Sequence, residues 1–344
     1  MKKGILIIII ILLVCGGAFW YLSGPVDGKN NQLQIVQIEQ GSGSNAIAAK
    51  LKEEGLIRNT MIFKINSKLF GYDGKYKAGS YGLKKSMSMK EQMQLIVDGK
   101  TTGKIFTIPE GNSIEKNIKI FESKDIITSK EFLNEVANGK FDYEFLRDAP
   151  KGATRLEGFL YPDQYQVSLD PSAHEVIDIM LKRFDNIFTE EYYKKAKDLN
   201  LSVHQVMTVA SIVEKEARTD EDKAKVASVI YNRLKVNMPL QMDSILAYIH
   251  KEDKIKASLE DTKVDSKYNP YKNKGLPPGP ICSPGKASIE AALNPAKSKY
   301  IYFVASEKLD GTNVFSVTYE EFLKDKAKFD KAYKEYIKKN PGKK

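Results

Sequence analysis

The sequence contains few cysteines and histidines, and those present stand far apart. Two cysteines occur in 344 residues, Cys15 and Cys282, so there is no disulfide framework and no Cys-x-x-Cys motif. The three histidines, at positions 174, 204 and 250, lack metal-ligand spacing. No Walker or dinucleotide glycine pattern and no nucleophile elbow is present either. We therefore predict neither a metal nor a cofactor.

The remaining composition is that of an ordinary globular protein with an excess of positive charge. Hydrophobic residues make up 42% and charged residues 28%, which gives no reason to expect general disorder. The formal net charge of +10 would suit any anionic partner, including nucleic acid, acidic phospholipid or a wall polymer. Most of the excess is lysine on predicted helix faces, which is typical of a solvated surface. The cellular location of the protein determines which of these anionic partners it can meet.

The N-terminus predicts a membrane anchor. Lys2 and Lys3 precede an uncharged apolar stretch at 5–22, which is just long enough to span a bilayer. Trp20 and Tyr21 stand where an interfacial aromatic belt would lie. Because lysines favour the cytoplasmic side, we expect a single-pass cell-membrane protein with its bulk on the extracytoplasmic face. That location disfavours nucleic acid as a partner.

Two alternatives to an uncleaved anchor stay open. One is a cleaved signal peptide, although Phe19, Trp20 and Tyr21 occupy the position of a small-x-small cleavage site. The other is lipidation of Cys15 in LLVCGG, although Val14 stands where a lipoprotein signal has a small residue.

Two stretches after the anchor predict small related modules. Residues 33–102 follow a β-α-α-β order that is similar to LysM, a small glycan-binding module. Within them, Ser88 and Glu91 form a capping box for a helix that Gly99 ends. The segment IVQIEQG at 35–41 is similar in sequence to IFTIPEG at 105–111, which indicates a duplicated module. From residue 169 onward the pattern is mainly helical.

Two glutamates stand in the stretch ASIVEKEA, at the end of a helix that a capping box of Ser202 and Gln205 begins. Glu214 projects into the middle of the apolar helix face, and Glu216 lies at its edge. Desolvation raises the pKa of a carboxyl group among apolar neighbours, so such a group can serve as a general acid. The alternative is that Glu214 pairs with a lysine or arginine across a helix interface, while Glu216 ends the helix in solvent. Position on the helix alone would make Glu214, not Glu216, the candidate general acid.

Longer motifs resemble the YceG-like endolytic murein transglycosylases. They are VASIVEKEA, VASVIYNRLKVNMPLQMDSI, YNPYKNKGLPPGPICSPGKASIEAALNPAKSKYIYFV and EGFLYPDQY. The resemblance implies cleavage of peptidoglycan between N-acetylmuramic acid and N-acetylglucosamine without water, leaving a 1,6-anhydromuramic end. It also implies that Glu216, the second glutamate of E-K-E, is the catalytic acid and then base. Glu214 becomes a supporting or structural carboxylate.

Two other functions remain open beside this one. A hydrolytic muramidase would need a second carboxylate about 5 to 9.5 Å from the first, and Asp243 is the candidate. A non-catalytic scaffold that binds the cell wall would use the LysM-like modules alone. Product analysis separates the three functions.

Seven further residues are candidates for binding substrate, since their polar groups suit sugar hydroxyls and acetamido groups. The alternative for each is a loop, capping or edge-strand role. The candidates are Glu157, Tyr161, Gln241, Asp243, Ser244, Tyr268 and Asn269.

The motifs and the order of elements together predict an α+β protein. Its predicted parts are a cytoplasmic tip and transmembrane helix at 1–24, a linker at 25–32, the LysM-like module at 33–102, a second related α/β module at 103–168, and a mainly helical, lysozyme-like catalytic domain with a basic C-terminal helix at 169–344. The expected partners are peptidoglycan glycan strands and the cell membrane, with peptidoglycan synthases or division proteins as further candidates.

Overall fold

The computed structural model describes residues 2–252 and 258–340, with side chains from residue 12 onward. Within this part the chain is α+β, and its strands form three two-stranded sheets. The helices are α1 (Lys2–Ser23), α2 (Ser44–Glu53), α3 (Thr60–Leu69), α4 (Met89–Asp98), α5 (Ile114–Ser123), α6 (Ser129–Asn138), α7 (Ala173–Ile187), α8 (Glu190–Asp198), α9 (Val203–Glu216), α10 (Asp220–Lys235), α11 (Asp243–His250), α12 (Lys286–Leu293) and α13 (Tyr319–Lys339). The strands are β1 (Leu33–Ile38), β2 (Gly79–Lys84), β3 (Lys104–Thr107), β4 (Gln164–Val167), β5 (Tyr302–Ala305) and β6 (Asn313–Ser316).

The prediction of a transmembrane anchor at the N-terminus is wrong. Within the described residues, the chain has no helix whose length and apolar character suffice to cross a membrane. A crossing helix needs about 20 predominantly apolar residues. The single-pass membrane location that rested on this anchor is corrected with it. Met1, the side chains at 2–11 and the basic residues 341–344 lie outside the described part.

The chain divides into two compact units. The first unit comprises Met1–Phe106 and Gln166–Pro171, and the second comprises Thr107–Tyr165 and Ser172–Lys344. The finer module boundaries given above stay predictions.

The first unit has the predicted β-α-α-β order. β1 and β2 pair antiparallel from Leu33 opposite Lys84 to Ile38 opposite Gly79, and α2 and α3 lie between them in the chain. The capping box at the start of α4 and the left-handed glycine that ends it are confirmed. The apolar faces of these elements meet in one core that includes Val36, Leu51, Phe63, Tyr81 and Met93.

The second unit is organised around α9. Its residues from Val206 to Val213 are all buried, and α9 contacts α8, α10, α11 and α12. The predicted capping box of Ser202 and Gln205 begins this helix, with the Gln205 N–H donating to Ser202 Oγ at 3.2 Å. Since α9 is capped at its start and packed against four helices, its last turn holds Glu214 and Glu216 in defined positions.

The C-terminal part of the second unit is a hairpin followed by a long helix. β5 and β6 pair antiparallel, from Tyr302 opposite Ser316 to Ala305 opposite Asn313. α13 begins at a capping box of Thr318 and Glu321 and contacts both strands of the hairpin.

Candidate functional site

The last turn of α9 is joined to the β5–β6 hairpin. The helix ends because Ala217 has extended backbone angles, φ −132° and ψ 137°. The Asn313 side chain donates to the backbone oxygen of Glu216 at 3.1 Å, and the Asn313 N–H donates to the Asp222 carboxylate at 2.7 Å. A carbonyl group at a helix end has no partner within the helix. Asn313 therefore supplies that partner and fixes the backbone of Glu216.

An open cavity of about 910 Å³, which we call the first cavity, lies beside this helix end. Three carboxylate residues line it, Glu110, Glu214 and Glu216, together with the basic residues Lys215 and Arg218. Its other walls come from the β5–β6 hairpin and from aromatic residues of α13. Its volume lies within the range of ligand-binding clefts, about 300 to 1,000 Å³.

The surroundings of Glu216 favour a protonated carboxyl group. The side chain is half-buried, and desolvation raises the pKa of Glu216 above its ordinary value. Hydrogen bonding from Ser244, whose N–H lies 3.4 Å from the Glu216 carboxylate, lowers this pKa in part. The negative charge of Asp243 raises the pKa further, while the positive charge of Arg233 opposes it. An acid that keeps its proton nearer to neutral pH, and that faces an open cavity, is suited to donate that proton.

Glu214 has more partners than Glu216. Its Oε2 accepts a hydrogen bond from the N–H of Gly285 at 3.1 Å and another from the Ser288 hydroxyl at 2.5 Å. Both donors lie at the start of α12, where a carboxylate is favoured by the free N–H groups and the helix dipole. The ammonium group of Lys223 lies 3.7 Å away; Lys223 is buried and Glu214 is mostly buried. These contacts match the alternative in which Glu214 pairs with a lysine across a helix interface.

Glu110 is a third carboxylate in the first cavity. Its carboxylate lies directly against the backbone of Gly285, where a methyl group would displace the end of the Glu110 side chain. Partial desolvation and then the charge of Glu214 raise the pKa of Glu110. Glu110 was not among the predicted site residues, because IFTIPEG was interpreted only as a repeat of a segment of the first module.

A second cavity of about 480 Å³ lies next to the first, and Gly111 and Lys215 line both. Three predicted site residues line this second cavity: Glu157, Ser244 and Tyr268. The Tyr268 ring lies 5.3 Å from the ring of Tyr248, so two aromatic side chains stand together in its wall. Ser244 connects the two cavities, because its N–H reaches Glu216.

Glu157 is held at the start of α5. Only 2% of its surface is exposed. Its carboxyl oxygens lie 3.1 and 3.3 Å from the N–H of Ile114, and the Tyr248 hydroxyl donates to one of them at 3.3 Å. Burial nevertheless raises the pKa of Glu157 to about 8. Glu157 is therefore a mostly protonated acid at neutral pH.

The structure does not bring the other four candidates into either cavity wall. The Tyr161 side chain is 6% exposed and its ring lies 5.8 Å from the Arg183 guanidinium. Asn269 is fully buried, and its amide donates to backbone oxygens of Thr262 and Val264 at 3.0 and 2.7 Å, as a loop-forming residue does.

Gln241 and Asp243 lie at the start of α11. Gln241 is exposed with φ 48°, and its N–H donates to the Pro270 oxygen at 3.1 Å. Asp243 accepts a hydrogen bond from the Tyr271 hydroxyl at 2.6 Å and acts on Glu216 through its charge. Neither lines the first or second cavity.

Comparisons with known proteins point to one family. The model of the YceG-like family matches residues 36–328. A Bacillus subtilis protein named endolytic murein transglycosylase is 35% identical over 333 residues, covering 92% of this chain and 91% of that protein. A Streptococcus pneumoniae protein of the same name is 33% identical, covering 87% of this chain and 60% of that protein. The crystal structure of a YceG-like protein from Listeria monocytogenes matches with a TM-score of 0.57 at 35% identity, covering 85% of this chain and 99% of that one.

Proposed function

The chain belongs to the YceG-like family, and from this membership we propose that it is a lytic transglycosylase, a lyase that acts on peptidoglycan. We further propose that it cuts the β-1,4 bond between N-acetylmuramic acid and N-acetylglucosamine within glycan strands. The product on the muramic side would be a 1,6-anhydro sugar. Glu216 is the proposed acid and base.

One acid is sufficient for this reaction. Protonated Glu216 donates its proton to the bridging oxygen, which leaves with the N-acetylglucosamine residue as a hydroxyl group. The C6 hydroxyl oxygen of the muramic residue then bonds to C1 of the same sugar. The Glu216 carboxylate removes the proton from that hydroxyl, so the acid is regenerated and no water is consumed.

The observation that carries the proposal is the position of Glu216. Its carboxyl group is half-buried, has a raised pKa and lines an open cavity large enough for a ligand. By contrast, Glu214 is held by Ser288 of α12 and by Lys223, so protein contacts fix its carboxylate in place.

Hydrolysis is the second candidate function, and Glu110 favours it. A muramidase needs a second carboxylate near the acid, and the earlier candidate, Asp243, does not line the first cavity. Glu110 does line it. A hydrolase would thus use Glu110 to activate water or to attack the sugar.

Mass spectrometry of the products distinguishes the two reactions. Purified, uncrosslinked glycan strands are digested with the full chain, and the new muramic ends are identified. We expect 1,6-anhydro ends, which are lighter than reducing ends by one water molecule. Reducing ends would assign the protein to the hydrolases, and absence of any cleavage would leave a wall-binding scaffold as its function.

A further inference from the structure

The C-terminal helix α13 contributes aromatic side chains to the cavity that contains Glu216. Phe329, Tyr333 and Tyr336 line the first cavity, and Phe303 of β5 joins them. The three helix residues are spaced at i, i+4 and i+7, so they lie on one face of α13. From the sequence, α13 was predicted only as a lysine-rich amphipathic tail.

The two halves of α13 use their aromatic residues differently. In the first half, Tyr319 and Phe322 contact the ring of Tyr302 on β5, with ring centroids 5.7 and 5.4 Å apart. These contacts attach the helix to the hairpin. In the second half, Phe329 and Tyr333 stack on each other at 5.7 Å and 19° and face the cavity.

Protein covers the aromatic face of the second half only in part, since Phe329 and Tyr333 are half-buried. None of the side chains of α13 is buried, and Tyr336 is 37% exposed. A helix that packs in a core buries its apolar face, whereas large apolar rings left accessible in a cleft mark a place where something binds. The stripe therefore has the exposure of a binding surface.

The other walls of the first cavity restrict the chemistry of the occupant. Opposite groups such as Glu110, Lys215 and Thr312 offer carboxylate, ammonium and hydroxyl groups. A pyranose ring has an apolar C–H face that packs on aromatic rings and an edge of hydroxyl and acetamido groups that need hydrogen bonds. Since the same cavity contains Glu216, a sugar bound there would belong to the strand that is being cut.

We propose that Phe329 and Tyr333 of α13 form a sugar-binding subsite of the first cavity, on which one residue of the glycan strand packs next to the bond at Glu216. This inference rests on the proposed function, because it takes the strand to be the substrate. It adds α13 to the binding machinery.

Binding is measured separately from cleavage to test the subsite. The full chain carrying Glu216→Gln is titrated with end-labelled, uncrosslinked glycan strands, alone and with Phe329→Ala/Tyr333→Ala added. We expect the double substitution to weaken binding about tenfold, or about 1.4 kcal/mol. The matched control is Lys334→Ala, an exposed residue of the same helix that does not line the cavity. It should bind as the parent does.

In the chain with Glu216 intact, the same double substitution should raise KM with a smaller effect on kcat, since ground-state binding is what it removes. Tyr333→Phe keeps the ring and should bind strands more tightly than Tyr333→Ala. Equal thermal unfolding of these two variants would show that the difference in binding is not a loss of helix packing. Equal binding and equal KM for the double variant and Lys334→Ala would overturn the subsite. If the unsubstituted chain instead binds strands without cutting them, the proposed reaction fails while the binding series still tests the subsite.

Discussion

Glu214 and Glu216 are separated by one residue, yet the two sides of the α9 terminus surround them differently. Glu214 lies against α12 and has two hydrogen-bond donors and a buried ammonium group as neighbours. Glu216 has Ser244 as its hydrogen-bonding neighbour and otherwise faces the first cavity. Hydrogen bonds and an ion pair therefore fix the Glu214 carboxylate in place, whereas Glu216 has fewer such partners and desolvation raises its pKa above the ordinary value.

The largest expected effect comes from Glu216→Gln. The amide has the same shape but cannot donate and accept the proton, so we expect cleavage to fall by at least about a hundredfold. The stability of the chain should stay the same or rise slightly, because a desolvated carboxyl group has been replaced by a neutral one. Release of anhydro ends measures activity, and thermal unfolding measures stability. Near-normal activity of this variant would show that Glu216 is not the catalytic acid.

Glu214→Gln should have the opposite pattern. The substitution removes the nearer of two carboxylates beside the buried Lys223 and leaves the exposed Asp220 at 4.0 Å. Breaking a buried ion pair costs up to roughly 3 kcal/mol. Activity per folded molecule should fall far less than in the Glu216→Gln variant. Unfolding in urea gives the loss of stability, and the double variant Glu214→Gln/Lys223→Met should recover part of it, since the unpaired ammonium group is then gone.

The comparison between the two glutamates would be reversed by one result. A Glu214→Gln variant that is as inactive as Glu216→Gln, with unchanged stability, would make Glu214 the acid that helical position first nominated.

Much of the fold could be predicted because its signals are local. The capping boxes at Ser88 and Ser202 and the glycine after α4 act within one helical turn, so the sequence alone shows where those helices begin or end. The N-terminal anchor was inferred from an apolar stretch with flanking lysines and aromatic residues, and that prediction was wrong.

The site was harder to predict because long-range contacts build it. Glu110, Phe303 and Tyr333 come together with Glu216 from positions about a hundred residues away on either side. Helical position also placed Glu214 correctly on the packed face of α9, but it could not show that this face supplies a lysine and two donors. Packing between helices decides which of two inward carboxylates is paired.

Glu157 extends the comparison to a carboxyl group that is almost completely buried. Burial raises its folded-state pKa to about 8, against an ordinary value of 4.5. The folded chain then binds more protons than the unfolded chain between these pKa values, so Glu157 lowers stability as pH rises from about 4.5 to about 8. Its contribution to the slope is at most about 1.4 kcal/mol per pH unit.

Glu157→Gln should remove this contribution. Measured by urea unfolding at several pH values, the variant should gain stability relative to the unsubstituted chain as pH is raised from 5 to about 8. Glu122→Gln is a suitable control, because Glu122 is an exposed residue of the same helix α5 and its charge is not among those that shift the pKa of Glu157. A constant difference between Glu157→Gln and the unsubstituted chain at every pH would mean that Glu157 does not titrate in this interval.

The smallest expected effect comes from Asn313→Ala. This variant tests whether the position of Glu216 can be disturbed without changing the proton affinity of its carboxyl group. Asn313 touches the Glu216 backbone oxygen, not its carboxyl group, and losing that hydrogen bond should lower stability by about 1 kcal/mol. We expect kcat to fall severalfold without a change in the pH at which activity is lost, because the surroundings of the carboxyl group stay the same.

Asn313→Asp keeps the backbone N–H bond to Asp222 but places a carboxylate beside the helix terminus. Since a negative charge is unfavourable at the C-terminal end of a helix, this variant should be less stable than Asn313→Ala. A pH profile that moves in Asn313→Ala would mean that Asn313 also acts on the proton affinity of Glu216.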